Sequence, residues 1–115
     1  MSLRRAALAA AGAFTLLLAI PSSASAAVGE FSYTWIDDDG VAHHRKLVDP
    51  REEDCITLPE TPDIEAAPAH TPVNRTDKTA TVFFEADCSG EWVNLRPVNG
   101  AGNQNTLIRA VVFGG

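Results

Sequence analysis

The sequence predicts an all-β protein, a small antiparallel sandwich or barrel held by one disulfide. Three observations carry this. Short runs of β-branched and aromatic residues alternate with polar ones, turn-forming clusters separate them, and no stripe of helical period follows residue 26. The chain has 115 residues. Setting aside a removable leader over residues 1–26 leaves a single domain over 27–115, too short for two.

The leader has a charged start, Arg4-Arg5, then the apolar run Ala6 to Ile20, a break at Pro21-Ser22-Ser23, and small residues at Ala24-Ser25-Ala26. The run falls short of the roughly 20 residues needed to span a bilayer. Leu3 and Ala7 do not suit the twin-arginine consensus, and no Cys stands at the cleavage point. Secretion with cleavage near Ala26, and an extracellular destination, are expected.

Phe31, Tyr33 and Trp35 alternate with Ser32, Thr34 and Ile36, placing three aromatics on one face of a first strand. Asp37-Asp38-Asp39-Gly40 follows, and Asp39-Gly40 is a strong hairpin turn. A second strand returns over Val41–Leu47, with Val41, His43, Arg45 and Leu47 on one face. After a polar loop, Cys55–Leu58 reads as a short third strand. Pro59, Pro62, Pro68 and Pro72 then mark an extended Pro-rich connector over 59–73, since proline removes backbone donors. Asn74–Asp77 reads as a turn and Thr79–Glu85 as a strand. Ala86–Gly90 turns the chain into Glu91–Arg96, Val98–Asn105 forms a Gly/Asn-rich loop, and Leu107–Phe113 is the last strand.

Nine basic and fifteen acidic residues give a net charge of −6. Losing Arg4 and Arg5 with the leader takes this to −8. So acidic a chain suits neither nucleic acid nor an anionic membrane, since both need a basic patch. Hydrophobic residues make up 45%, a share inflated by the leader yet sufficient for a core, which excludes wholesale disorder.

Phe83-Phe84-Glu85-Ala86-Asp87-Cys88-Ser89-Gly90 pairs an aromatic with a glycine seven residues on. With the strand after it, the polar loop and Thr106-Leu107-Ile108-Arg109-Ala110-Val111, this resembles one Greek-key motif of the βγ-crystallin family. The likeness covers residues 79–113. It implies Greek-key connections in the second half, with the Phe83 ring folded over the turn glycine Gly90 and a hydroxyl residue before the last strand. Cys88 stands where that family usually has an aromatic. In the N-terminal half Gly40 is available as a turn glycine, but no clean second copy is expected. The Ala-rich leader, Cys-x-x-Leu-Pro and Arg-x-Val-Val-Phe also resemble small secreted proteins of actinobacteria, a likeness that implies no activity.

Many crystallin-like domains bind calcium through Asn/Asp-Asn/Asp-x-x-Ser/Thr-Ser. The matching run is Gly102-Asn103-Gln104-Asn105-Thr106-Leu107, where Asn103, the Gln104 carbonyl and Thr106 fit, and Gly102 and Leu107 do not. Calcium wants six to eight oxygens. Asp37, Asp38 and Asp39 would have to complete the shell, so the site is expected to be degenerate and no cofactor to be required.

Cys55 and Cys88 are the only cysteines, so one intramolecular pairing exists; two free thiols or an intermolecular bridge are the alternatives. His43 and His44 are adjacent and point to opposite faces of a strand. A core or cleft role suits His43 better than zinc ligation with a distant acid, and His70 is expected to be exposed. Asn74-Arg75-Thr76 matches the N-glycosylation acceptor. His43, Glu85, Arg96 and Arg109 supply the side-chain types of a small ribonuclease, but the negative charge would repel RNA. The expectation is a monomeric, secreted, non-catalytic structural or binding module with an extracellular ligand or protein partner. The alternatives are a protease inhibitor presenting the Pro-rich segment and, third, a small hydrolase.

Overall fold

The alternation that begins at Phe31 becomes strand β1 (Gly29–Ile36), with Phe31 and Tyr33 fully buried. The computed structural model describes residues 25–114, so the expected leader lies outside the described residues except for Ser25 and Ala26. The chain returns as β2 (Ala42–Val48), paired antiparallel with β1 from Glu30↔Val48 to Ile36↔Ala42. The turn lies one residue earlier than expected: Gly40 N closes on Asp37 O, Asp38 and Asp39 are central, and of the expected pair only Gly40 takes a positive φ. Then come β3 (Ile56–Thr57), β4 (His70–Thr76), β5 (Ala80–Phe83), β6 (Trp92–Leu95), β7 (Gly100–Ala101) and β8 (Ala110–Phe113). The fold is all-β, as expected.

Two four-stranded antiparallel sheets result, sheet 1 in the order β2-β1-β4-β7 and sheet 2 in the order β3-β8-β5-β6. Read as β2-β1-β4 and β6-β5-β8, the two halves of the chain build the same three-strand unit. Each half lends its third strand, β3 or β7, to the edge of the other sheet. The inner faces meet in one core that includes Phe31, Tyr33, Leu58, Val82, Leu95, Ile108, Val111 and Phe113. Phe31 meets Phe113 edge-on across the sheets, with ring centroids 5.4 Å apart. Burying each such side chain contributes about 1.5–3 kcal/mol.

The structure corrects the expected connector. Residues 70–73 of the 59–73 stretch, and most of the turn expected at 74–77, are strand β4. Pro72 is tolerated because the register shifts there: Ser32 pairs with Val73 and Thr34 with His70, so one extra residue of β4 lies opposite Tyr33. A bulge of this kind leaves the proline without a ladder bond to donate. The rest of the segment is anchored, with Thr61 and Ala69 buried. The loop expected over Val98–Asn105 contains β7, which pairs with β4 at Val73↔Ala101 and Asn74↔Gly100.

Asn74 holds this crossing. Its Nδ2 donates to the carbonyls of Lys78, Leu95 and Arg96 at 2.8, 3.0 and 3.1 Å, and its Oδ1 accepts from Thr76 N and Thr76 Oγ1. The side chain is 0% exposed, so the Asn74-Arg75-Thr76 acceptor is closed to a glycan in the folded protein.

Cys55 and Cys88 form the disulfide, with Cα atoms 5.9 Å apart. It ties the start of β3 to the turn between β5 and β6, where Thr57 Oγ1 also donates to Ala86 O at 2.7 Å. Gly90 in that turn has φ +80°, a conformation that side chains other than glycine resist. The atoms packed closest to Gly90 belong to Glu85. Phe83, expected to cover it, lies opposite Trp92 on the other face of the strand from Val82.

Two stability outcomes follow. Reducing Cys55–Cys88 releases a loop of 33 residues, which in the loop-entropy picture costs about 3.7 kcal/mol. Reduced protein should therefore melt well below oxidised protein in calorimetry. Asn74→Ala strands buried carbonyls and should cost about 3 kcal/mol in urea denaturation, whereas Asn99→Ala, at an exposed position, should change stability by less than about 0.5 kcal/mol.

Candidate functional site

The first hairpin is stapled by its own acid. Asp37 Oδ1 accepts the backbone N–H groups of Asp39 and Val41 at 2.8 and 2.9 Å. Its Oδ2 accepts from His43 Nε2 at 2.8 Å. The His43 ring in turn stacks on Trp35, with centroids 4.6 Å apart and planes inclined by 23°. The hydrogen bond from His43 and the backbone N–H of Val41 hold the Asp37 carboxyl below the ordinary value of 3.8. His43 thus shares the inward side of the ladder with Trp35, as its spacing predicts, yet it is exposed. At this end β2 is exposed, and of its residues only Leu47 packs on the core.

The Pro-rich segment closes on this hairpin through Glu60, whose side chain is 9% exposed. Tyr33 Oη donates to Glu60 Oε1 at 2.7 Å, and Arg45 Nη1 donates to Oε2 at 2.8 Å. Burial first, and then the Glu60 carboxylate, push the Tyr33 phenol well above its usual range. Beyond Glu60 the chain makes a tight turn at Asp63–Ala66, closed by Ala66 N to Asp63 O and by Glu65 N to Asp63 Oδ1.

That turn is braced from beneath. Arg109, only 3% exposed, donates from Nη2 to Ala66 O at 2.9 Å and Ile64 O at 3.5 Å, and from Nη1 to Phe84 O at 3.2 Å. Its guanidinium lies 4.9 Å from the Phe84 ring centre, and Nε is without a partner. No carboxylate of the described residues pairs with it.

Between the hairpin and the braced turn lies a cleft of about 590 Å³ lined by Trp35, Ile36, Asp37, Asp38, Glu60, Glu65, Ala66 and Ala67. That volume falls within the ~300–1,000 Å³ of small-molecule sites. Of the acidic triplet, Asp37 and Asp38 line the cleft and Asp39 stands outside it. Glu60 and Glu65 are the residues that sequence reasoning missed. Nothing short of the fold sets them beside the hairpin, although an indole followed by three acids was already a visible clue.

The other expected positions are not brought together. Asn103 Oδ1 accepts Asn105 N at 2.7 Å and Thr106 Oγ1 accepts Asn103 N at 3.0 Å, so both side-chain oxygens close the turn that carries Gln104. Among the described residues no group of three or more His, Cys, Asp or Glu side chains is arranged to hold a metal ion. Among the described residues no hydrogen bond joins Asp37, Asp38 or Asp39 to the Asn103 turn. No hydrogen bond or ion pair links any two of His43, Glu85, Arg96 and Arg109. His70 is half-buried, its Nδ1 2.7 Å from Thr71 Oγ1.

Glu60→Ala leaves the buried Tyr33 hydroxyl unpartnered and should cost about 1–3 kcal/mol; the Arg45 pair, 48% exposed on the arginine side, adds under about 1 kcal/mol. The Tyr33 shift has a sign. A phenol held protonated by folding contributes stability that is complete below its unfolded value of 10.0 and is lost as pH rises above it. Urea denaturation should show the wild type weakening above about pH 10 more steeply than Tyr33→Phe. The chain matches no family model, no curated protein and no solved structure.

Proposed function

We propose that this chain is a secreted, non-catalytic binding module whose cleft beside Trp35 takes a positively charged group from an extracellular partner. The observation that carries the reading is the cleft's own chemistry. An indole and four carboxylates line one concavity, on walls held by the Tyr33–Glu60–Arg45 and Arg109 contacts. Asp37 and Glu60 are engaged in holding the walls, which leaves Asp38 and Glu65, neither with a side-chain partner among the described residues, to meet an ammonium or guanidinium. A cation beside Trp gains about 0.5–2 kcal/mol from the ring, on top of its attraction to the acids. The intact disulfide suits an oxidising, extracellular setting, and no helix of the described residues is long and apolar enough to cross a membrane.

The crystallin-like part of the reading rests on topology. The orders β4-β1-β2 and β8-β5-β6 supply three of the four places of a Greek key, with the third strand of each half laid on the opposite sheet. That arrangement supports a pair of related motifs. The Pro-rich segment gives little support to a protease inhibitor. Proteases read an extended strand, whereas Asp63–Ala66 is a turn pinned to Arg109.

Titration of the purified chain with hexalysine, followed by tryptophan fluorescence and calorimetry, tests the proposal. Binding should weaken about tenfold in an Asp38→Asn/Glu65→Gln variant, and should weaken further as salt rises. Undiminished binding in that variant, or none in the wild type, refutes the cleft as a cation seat.

A further inference from the structure

The two outer faces of this molecule are built differently. By register, the outward positions of sheet 1 include Glu30, His44, Lys46 and Arg75, with Lys46 and Glu30 paired at 3.4 Å. That is an ordinary solvated surface. On sheet 2, Thr81 aligns with Asn94 and Val112, and Phe83 with Trp92 and Ala110. None of these six carries a charge, in a chain where 21% of residues do. Trp92 is 59% exposed, and a shallow depression of about 320 Å³ is lined by Thr81, Phe83, Trp92 and Asn94.

We infer that this depression is a second, independent binding site, and that it takes a neutral sugar ring of a polysaccharide. A pyranose offers an apolar face of C–H groups, which suits the flat negative face of an aromatic ring, and a rim of hydroxyls that need donors and acceptors. Trp92 and Phe83 supply the aromatic surface. The Thr81 hydroxyl donates to Asn94 Oδ1 at 2.7 Å, which fixes the amide and leaves its N–H pair free to donate to a sugar hydroxyl. The four side chains that line the depression carry no charge, which selects against ionic ligands. A second copy of the chain fits less well. Each copy carries the same strong negative charge, and a stable protein interface buries ~1,200–2,000 Å², far beyond a depression formed by four side chains.

The test is calorimetric titration of the purified chain with three neutral hexaoses: β-1,4-linked glucose, β-1,3-linked glucose, and β-1,4-linked N-acetylglucosamine. At least one should bind with a Kd of about 1 mM or tighter, unaffected by added salt. Trp92→Ala should weaken that binding at least about tenfold, and Asn94→Ala several-fold with the aromatic surface kept. Lys46→Ala, on the outer face of sheet 1, should leave it unchanged. Should Trp92→Ala fail to melt cooperatively, Asn94→Ala decides alone. No heat with any hexaose at about 10 mM overturns the inference, as does binding that survives both variants. Self-association abolished by Trp92→Ala in sedimentation would assign the face to a second copy instead and equally overturn it.

Discussion

Neither half of this chain completes its own sheet. β3 lies against β8, and β7 against β4, so each three-strand unit is finished by a strand from the other half. The core spans the same division, since Phe31 and Tyr33 from the first half pack with Val82, Val111 and Phe113 from the second. A half-chain would leave an apolar face and a sheet edge open, and small domains have little surplus burial to lose. The exchange also forces the chain to cross between sheets repeatedly. Those crossings carry the residues of interest: the Pro-rich segment between β3 and β4, and the Asn74-braced passage from β6 to β7.

The cleft is a consequence of one such crossing. The segment that leaves sheet 2 for sheet 1 passes the first hairpin, and it is fixed there at two points. Glu60 binds it to Tyr33 and Arg45 on the hairpin side, and Arg109 binds it to the second half of the chain. Through Phe84 and the neighbouring turn, the same brace reaches the Cys55–Cys88 disulfide. The acids on the cleft wall are therefore held by buried contacts, and their separation does not depend on the side chains that would meet a ligand.

Much of the fold was legible because it follows from local patterns. The period of two at Phe31–Tyr33–Trp35 set the buried face, Asp39-Gly40 set the first hairpin, and the cysteine count left one intramolecular pairing. What escaped was decided by partners distant in sequence. Pro72 argued against a strand, and only the bulge opposite Tyr33 admits it. Gly100 and Ala101 have no strand propensity, and β7 exists because Asn74 and Val73 pair with them. His43 was placed on the correct face but not at the correct depth, because depth depends on where the second sheet ends. The site suffered most: Asp37 and Asp38 were visible as an acidic tip, yet Glu60 and Glu65 join them only through the crossing.

Arg109 shows how the charge balance and the fold are connected. A buried guanidinium without a carboxylate normally carries a desolvation penalty of several kcal/mol. Here three carbonyl oxygens and the face of Phe84 supply partial negative charge around it. The surplus of acidic residues over the whole chain adds a favourable long-range field. A carboxylate partner would have neutralised it more completely, but would also have competed for the N–H groups that now hold Ile64 and Ala66. Because all three of its side-chain hydrogen bonds run to backbone carbonyls of two separate loops, Arg109 fixes the path of the chain and does not merely neutralise a charge. The orphaned Nε is the residual cost of that arrangement, and it indicates that positioning the Pro-rich turn outweighs complete satisfaction of the arginine.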